Sequence, residues 1–223
     1  IEYFIIEEGK LWNSVLDILR EKAAQGLEVR VIYDDIGSMA TLPGDYPARL
    51  EKLGVQCRVF NRFVPVVSLR QNNRDHRKYM IIDGKTAFTG GINMADEYIN
   101  VKRRFGHWKD SAIRLEGDAV WSMTVSFLAM WDFTNSEEEH FTPYRPAPAQ
   151  GGAAGYVQPY HDCPWDNEPV GQTVYLHLIN RAKRYVYITT PYLVIDYSLT
   201  MALTSAAKSG VDVRIITPHI PDK

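Results

Sequence analysis

Cysteine is scarce in this chain: Cys57 and Cys163 are the two among 223 residues. Their spacing fits neither a metal cluster nor a redox pair, so both read as buried thiols in a reducing compartment rather than a disulfide. A long apolar run is also missing. None approaches the roughly 18 residues a membrane-spanning helix requires, and no signal peptide is visible. Nor does either sign of charge dominate, since 25 Lys and Arg stand against 27 Asp and Glu, a net charge of -2. That balance gives no support to polyanion binding, so nucleic acid is not an expected partner. What is present is an ordinary globular composition, 45% hydrophobic and 23% charged. The length suits one large domain or about two small ones. Residues 1–6 read as a strand already under way, and residues 220–223 follow directly on another. Both ends are therefore expected to be cut, with membrane segments among the missing sequence.

An internal repeat shapes the reading of the fold. Ala23-Ala24-Gln25-Gly26-Leu27-Glu28-Val29-Arg30-Val31-Ile32 matches Ala207-Lys208-Ser209-Gly210-Val211-Asp212-Val213-Arg214-Ile215-Ile216, from Gly26 to Gly210 an offset of 184. The same offset lays Tyr3-Phe4-Ile5-Ile6 on Tyr187-Ile188-Thr189-Thr190. A glycine that closes a helix before an apolar strand is common, but the shared V-R-[VI]-I favours duplication.

Hydrophobic periodicity predicts strands near 2–6, 28–33, 55–60, 76–82, 86–89, 110–116, 156–160, 184–190 and 211–217. Helices are predicted near 10–25, 45–53, 117–133, 170–183 and 197–209. Leu11, Val15, Ile18 and Leu19 form one apolar stripe in the first of these, as do Trp121, Val125, Leu128 and Trp131 in the third. Alternation of this kind implies an α/β layered fold, a mixed sheet with helices on both faces. Residues 1–141 are expected to form a first lobe, 142–154 a Pro- and Gly-rich linker, and 155–223 the beginning of a second, truncated lobe.

The chemistry concentrates between His76 and Asn93. His76, Lys78 and Asp83 read H-x-K-x4-D, and Gly90-Gly91-Ile92-Asn93 follows. On a strand His76 and Lys78 share a face, Asp83 opens an Asp-Gly hairpin turn, and the paired glycines let the backbone approach closely and aim Asn93 at the same edge. This set suits a phosphate ester. A neutral imidazole can attack phosphorus, Lys78 and Asn93 can hold the non-bridging oxygens, and Asp83 can orient a partner. The leaving alkoxide needs a proton from a second acid, which explains why such a motif would be duplicated. A lone His and Lys two apart would more simply be a core histidine and a solvated edge charge. Applying the offset to His76 passes the last residue, so any second motif lies outside this chain.

The motif resembles that of the phospholipase D superfamily. Tyr33-Asp34-Asp35-Ile36-Gly37-Ser38, Asn72-Asn73-Arg74-Asp75-His76-Arg77-Lys78, Gly90-Gly91-Ile92-Asn93-Met94-Ala95-Asp96-Glu97-Tyr98, Trp108-Lys109-Asp110 and Thr189-Thr190-Pro191-Tyr192 are most similar to its bacterial cardiolipin synthase branch. The resemblance implies a two-lobed phospholipase D-like sandwich with one H-K-D set per lobe at a shared site. It implies transfer of a phosphatidyl group between phosphatidylglycerols through a phospho-histidine, glycerol leaving, with no cofactor or metal. His76, Lys78 and Asp83 take the catalytic positions, and Lys78 and Asn93 the phosphate-binding ones. The expected partners are phosphatidylglycerol, other anionic phospholipids and the surface of the bacterial cytoplasmic membrane, with a homodimer possible. Two alternatives stay open: a phospholipase D-type hydrolase of phospholipid or nucleic acid, and a non-catalytic lipid-binding fragment.

The remaining features read more plainly. Asp34 and Asp35 face opposite ways, which favours a turn role over a divalent cation. Residues 60–70 mix apolar groups with arginine, and are either a buried loop beneath the site or a segment that dips into the lipid interface. His107, His140, His161 and His177 lack ligand spacing, and Glu137-Glu138-Glu139 reads as a solvated turn.

Overall fold

The structure, a computed structural model, describes residues 1–65, 69–104, 106–135, 138–148, 155–163 and 167–219. It divides into two compact units, Ile1–Pro159 and Tyr160–Lys223.

The first unit is built on a six-stranded mixed sheet. In chain order the elements are β1 (Glu2–Tyr3), α1 (Lys10–Ala24), β2 (Arg30–Asp34), α2 (Asp35–Ser38), α3 (Tyr46–Glu51), β3 (Gln56–Phe60), β4 (Lys78–Ile82), β5 (Thr86–Gly90), β6 (Ala112–Glu116) and α4 (Ala119–Asn135), with 3-10 turns at Leu69–Asn72, Asp96–Ile99 and Thr142–Tyr144. The strand order is β3-β2-β1-β4-β5-β6. β1, β2 and β3 run parallel, while β4 returns antiparallel to β1 and starts the meander through β5 and β6. The start of β4 therefore lies at the edge where β1–β3 end, and that edge carries Lys78, with His76 just ahead of it.

Side chains alternate across the sheet as a period of two requires. Tyr3, Val31, Tyr33 and Cys57 point into one core with Trp12 of α1 and Leu50 of α3. Ile32, Phe60, Tyr79 and Ala87 point into the other, against α4. Burial pushes the Cys57 thiol up to about 12, so it packs as a small apolar group. Both cysteines are free thiols, Cys57 buried and Cys163 half-buried.

In α4 the buried residues are Val120, Met123, Thr124, Ser126, Phe127, Leu128 and Trp131. Trp121 and Val125, expected on that stripe, are half-buried. α4 is apolar nearly all round, so its buried face could not be picked out from a single stripe. Among the described residues no helix is long and apolar enough to cross a membrane.

Two local features correct the sequence reading. No strand forms at residues 156–160, although Tyr156, Val157 and Tyr160 carry strand-forming side chains; the three are exposed and find no sheet to join. Glu139, expected in a solvated turn, instead accepts two hydrogen bonds from the Arg30 guanidinium at 2.7 and 2.6 Å. Glu137 lies outside the described residues. Arg30 also donates to the Tyr144 hydroxyl, and Tyr144 packs against the α4 core. Residues 142–144, expected in the linker, thus rest on the first unit. Residues 149–154 of the expected linker lie outside the described residues.

The second unit contains α5 (Val170–Arg181), β7 (Tyr185–Thr189), α6 (Tyr197–Lys208) and β8 (Asp212–Ile216), with β7 and β8 paired in parallel. Its helix-to-strand turn matches that of the first unit bond for bond. Leu27 N–H donates to Lys22 and Gly26 N–H to Ala23; Val211 N–H donates to Ala206 and Gly210 N–H to Ala207. Both glycines sit at positive φ, 86° and 88°, closing their helices in the left-handed conformation. The strand before the helix differs from expectation. Ile32 pairs with Glu2, whereas Ile216 pairs with Thr189, so the second unit is three residues shorter between those partners. The 184-residue offset holds from helix end to strand but not for the leading strand.

Candidate active site

Where β1–β3 end, a buried ionic network fixes the backbone around His76. Asp34, fully buried, accepts from Gly37 N–H (2.9 Å) at the start of α2 and from Asp75 N–H (2.9 Å). Arg74 lies 3.4 Å from the Asp34 carboxylate and donates to the carbonyls of Asn73 and Asn61. On the other side of His76, Arg77 meets Glu2 at 3.2 Å and Asp75 at 3.8 Å. Glu2, fully buried, also accepts from the Tyr79 hydroxyl at 2.6 Å. Burial, and then the neighbouring Asp75 carboxyl, push Glu2 well above the usual carboxylate range. Arg74, Asp75 and Arg77 are therefore anchors, and the residue between them is the one left at the surface. The Asp34-Asp35 pair has the turn role, since Asp35 accepts from Phe63 N–H at 2.7 Å.

His76 and Lys78 come together on Phe4. The His76 ring lies 4.8 Å from the Phe4 ring, and the Lys78 ammonium is 5.7 Å from the same ring. The strand begins at Lys78 rather than at His76, yet both side chains reach the same side. Lys78 is buried and donates to the His76 carbonyl at 2.8 Å. Burial lowers its pKa to about 8, against the pull of Asp75 and Asp110. His76 is exposed as a residue, and no hydrogen bond among the described residues occupies its ring nitrogens. Partial desolvation, then the Lys78 charge, hold its pKa below the ordinary 6.5. At neutral pH the pair is a neutral imidazole beside an ammonium.

Asn93 is buried and oriented from both ends. Its carbonyl oxygen accepts from Ile5 N–H (3.1 Å), the residue after Phe4, and its amide donates to the Tyr98 hydroxyl (2.7 Å). The second amide hydrogen remains for another oxygen. Asp83 is placed elsewhere. With Gly84 it forms the β4–β5 turn, both residues at positive φ (54° and 64°), and it is exposed. Five strand steps along β4 separate its backbone from that of Lys78 by roughly 17 Å.

Asp110 and Tyr98 belong to the site, and the sequence reading gave neither a role. Asp110 acts on the Lys78 charge, accepts from the Trp108 indole at 3.0 Å and packs where a side chain on Gly91 would stand, 2.5 Å from its carboxylate. Gly90 likewise leaves room for the Ser111 carbonyl. The pairing of β5 with β6, which brings Gly90, the start of the Gly-Gly turn, beside Ala112, was the available signal. Tyr98 stacks edge-on against Trp108 with ring centroids 4.7 Å apart. His107, His140, His161 and His177 are exposed. Among the described residues no group of three or more His, Cys, Asp or Glu is arranged to hold a metal ion.

Comparison with known proteins follows the same residues. The family described as "Cardiolipin synthase, PLD-like domain" matches residues 3–114 and 175–223. An uncharacterized protein of Streptococcus mutans is 52% identical over the whole chain, which covers 48% of that relative. Cardiolipin synthases of Staphylococcus aureus and Listeria monocytogenes are each 35% identical over 99% of the chain, which covers 45% and 46% of them. The chain thus spans about half the length of these relatives. Among solved structures, the polyphosphate kinase of Porphyromonas gingivalis superposes with a TM-score of 0.50 at 14% identity, over 100% of this chain and 34% of that one; that likeness concerns the fold alone.

Proposed function

Because this chain belongs to the family of cardiolipin synthase PLD-like domains, we propose that it supplies one half of the active site of a phosphatidyltransferase. A ring nitrogen of His76 attacks the phosphorus of phosphatidylglycerol. The P–N bond forms, the P–O bond to glycerol breaks, and glycerol leaves with a proton from a second acid. The terminal hydroxyl of another phosphatidylglycerol then gives up its proton to that group and attacks the phospho-histidine. The new P–O bond makes cardiolipin and frees the imidazole. Lys78 and the free amide hydrogen of Asn93 stabilise the equatorial oxygens as charge builds on them. Asp83 acts at a distance, holding the hairpin that carries Lys78.

One observation carries the reading: an exposed, neutral imidazole and a buried ammonium meet on the Phe4 ring. A structural histidine would be buried with its nitrogens bonded, and a structural lysine would be solvated. The second acid is assigned to a second lobe, which begins with the β7–α6–β8 unit and its matching glycine turn. The partners are phosphatidylglycerol and other anionic lipids at the bacterial cytoplasmic membrane, with no role for nucleic acid; a second copy of the chain is a further candidate.

The test is incubation of full-length protein with phosphatidylglycerol, followed by lipid analysis. Cardiolipin with an equivalent of glycerol supports the proposal, and a His76→Ala variant should abolish it. Phosphatidic acid would instead identify a hydrolase, and no turnover would leave a lipid-binding module. Protein labelled in the lipid phosphate and quenched in denaturant at neutral pH, where the acid-labile P–N bond survives, should yield a His76 peptide carrying the phosphatidyl group; label on any other residue would reassign the nucleophile.

A further inference from the structure

We propose that the sheet edge bearing His76 is also a docking surface for an anionic phospholipid bilayer. Two groups of exposed apolar side chains flank the site. On one side Met39, at the end of α2, is 57% exposed, and Phe63 and Val64, after β3, are 47% and 49% exposed. The Asp35 carboxylate accepts from Phe63 N–H, which joins α2 and the segment after β3 into one surface. On the other side Ile99 and Val101, after the Asn93 loop, are 37% and 51% exposed.

Both groups are tied to the residues that place the site. Asn61 donates to the Asn73 carbonyl at 2.8 Å and accepts at its own carbonyl from Arg74 at 2.7 Å, so the segment carrying Phe63 is held against the approach to His76. The loop carrying Ile99 and Val101 begins at Met94, which bridges to Ile6 just beyond β1. Each group therefore sits where β1–β3 end and β4 begins. Elsewhere in this unit exposed apolar residues such as Ile18, Leu27 and Ile113 stand on other elements, as isolated ones normally do.

Charge selects the occupant. The chain as a whole carries -2, yet this edge bears Arg62 beside Phe63 and three successive exposed cations, Lys102, Arg103 and Arg104. Glu7 and Glu97 neutralise Lys102 and Arg104, and Asp35 accepts from the backbone of Phe63, so Arg62 and Arg103 supply the positive charge this edge offers to an anionic headgroup. Aromatic and aliphatic side chains next to arginine and lysine match the interface between acyl chains and anionic headgroups. The core of a protein–protein interface is depleted of charged residues, whereas here Arg62 stands directly beside Phe63 and Lys102 beside Val101. The inference rests on the lipid-substrate reading in one respect: a nucleophile for a phospholipid must work at headgroup depth, and this edge would hold His76 there.

The experiment separates docking from catalysis. Vesicles of equimolar phosphatidylglycerol and phosphatidylcholine are floated with the 223-residue chain, with Phe63→Ser/Val64→Ser, with Met39→Ser, and with Ile113→Ser on β6 as control. Expected is an affinity loss of about tenfold or more for the double variant, a smaller loss for Met39→Ser, and none for the control. Binding by the wild-type chain should fall in about 0.5 M salt and on vesicles of phosphatidylcholine alone. Thermal melting confirms that each variant is folded; if the double variant is not, Met39→Ser and Val101→Ser decide. Unchanged binding by the folded variants, an equal loss in the control, or no binding by the wild-type chain overturns the proposal. In full-length protein the Phe63→Ser/Val64→Ser variant should turn over dissolved short-chain phosphatidylglycerol at the wild-type rate. No turnover by wild-type protein on any lipid would remove the transferase reading while the vesicle result stood.

Discussion

Lys78 should make the protein less stable than it would be without it. Its ammonium is buried, and burial lowers its pKa from 10.5 to about 8. At ~1.36 kcal/mol per pH unit, keeping it charged at neutral pH costs the fold about 3 kcal/mol relative to the unfolded chain. The sign follows from the direction. Below about 8 the lysine is protonated in both states and the full cost applies. As pH rises from about 8 toward 10.5 the folded state sheds the proton first, and the cost disappears. Lys78→Met removes the buried charge and keeps most of the volume, but it also loses the hydrogen bond to the His76 carbonyl, worth ~1 kcal/mol. The net expectation at pH 7 is a gain of about 1–3 kcal/mol in urea unfolding, shrinking to nothing near pH 10, with transferase activity abolished. A Lys78→Met variant that is less stable than wild type at pH 7, or whose difference does not narrow with pH, would refute the reasoning. Direct titration of the lysine side chains by carbon-13 NMR offers an independent check, with one resonance moving near pH 8.

Activity itself should show an alkaline limb near pH 8 as Lys78 loses its proton, and an acid limb below 6.5 as His76 gains one, in a pH profile of initial rates on full-length protein. Asp96 accepts from the backbone N–H groups of Lys10 and Leu11 at 3.0 and 2.9 Å and so caps α1 from another loop. Asp96→Ala should cost about 1–2 kcal/mol by denaturant titration. The Asp96 pKa is lowered by those N–H bonds, so the cap's contribution is present above the unfolded carboxylate pKa and is lost as pH falls through the folded one. Arg77→Leu strips the buried Glu2 and Asp75 of their shared cation and should destabilise by about 3–5 kcal/mol, measured the same way; a loss below 1 kcal/mol would show the network to be dispensable.

The sheet was largely readable beforehand because short apolar-rich segments of strand length at 28–33, 55–60, 76–82 and 86–89 stand between turn signals, and the Asp83-Gly84 turn fixes the β4–β5 register. Helix ends followed from Gly26 and Gly210. What escaped depends on contacts across long stretches of chain. Gly9, just ahead of α1, supplies no side-chain cap, and nothing local announces that Asp96 provides one. The buried Glu2–Arg77–Asp75 cluster was invisible because charged residues are ordinarily assigned to solvent. Glu139 was misplaced for the same reason. His76 and Lys78 were found by their spacing, whereas Asp110 and Tyr98 needed the folded loops. Residues 66–68 of the arginine-containing loop lie outside the described residues.

Asn93 and Asp96 stand three residues apart on one short loop, one accepting from Ile5 N–H beside Phe4 and proposed to meet the phosphate, the other clasping the first turn of α1. Tension put on that loop by a phosphoryl group must be felt at a place no substrate touches. Amide exchange at Lys10 and Leu11 should slow when a phosphate ester binds at Asn93, giving a remote gauge of occupancy that requires neither turnover nor a labelled lipid.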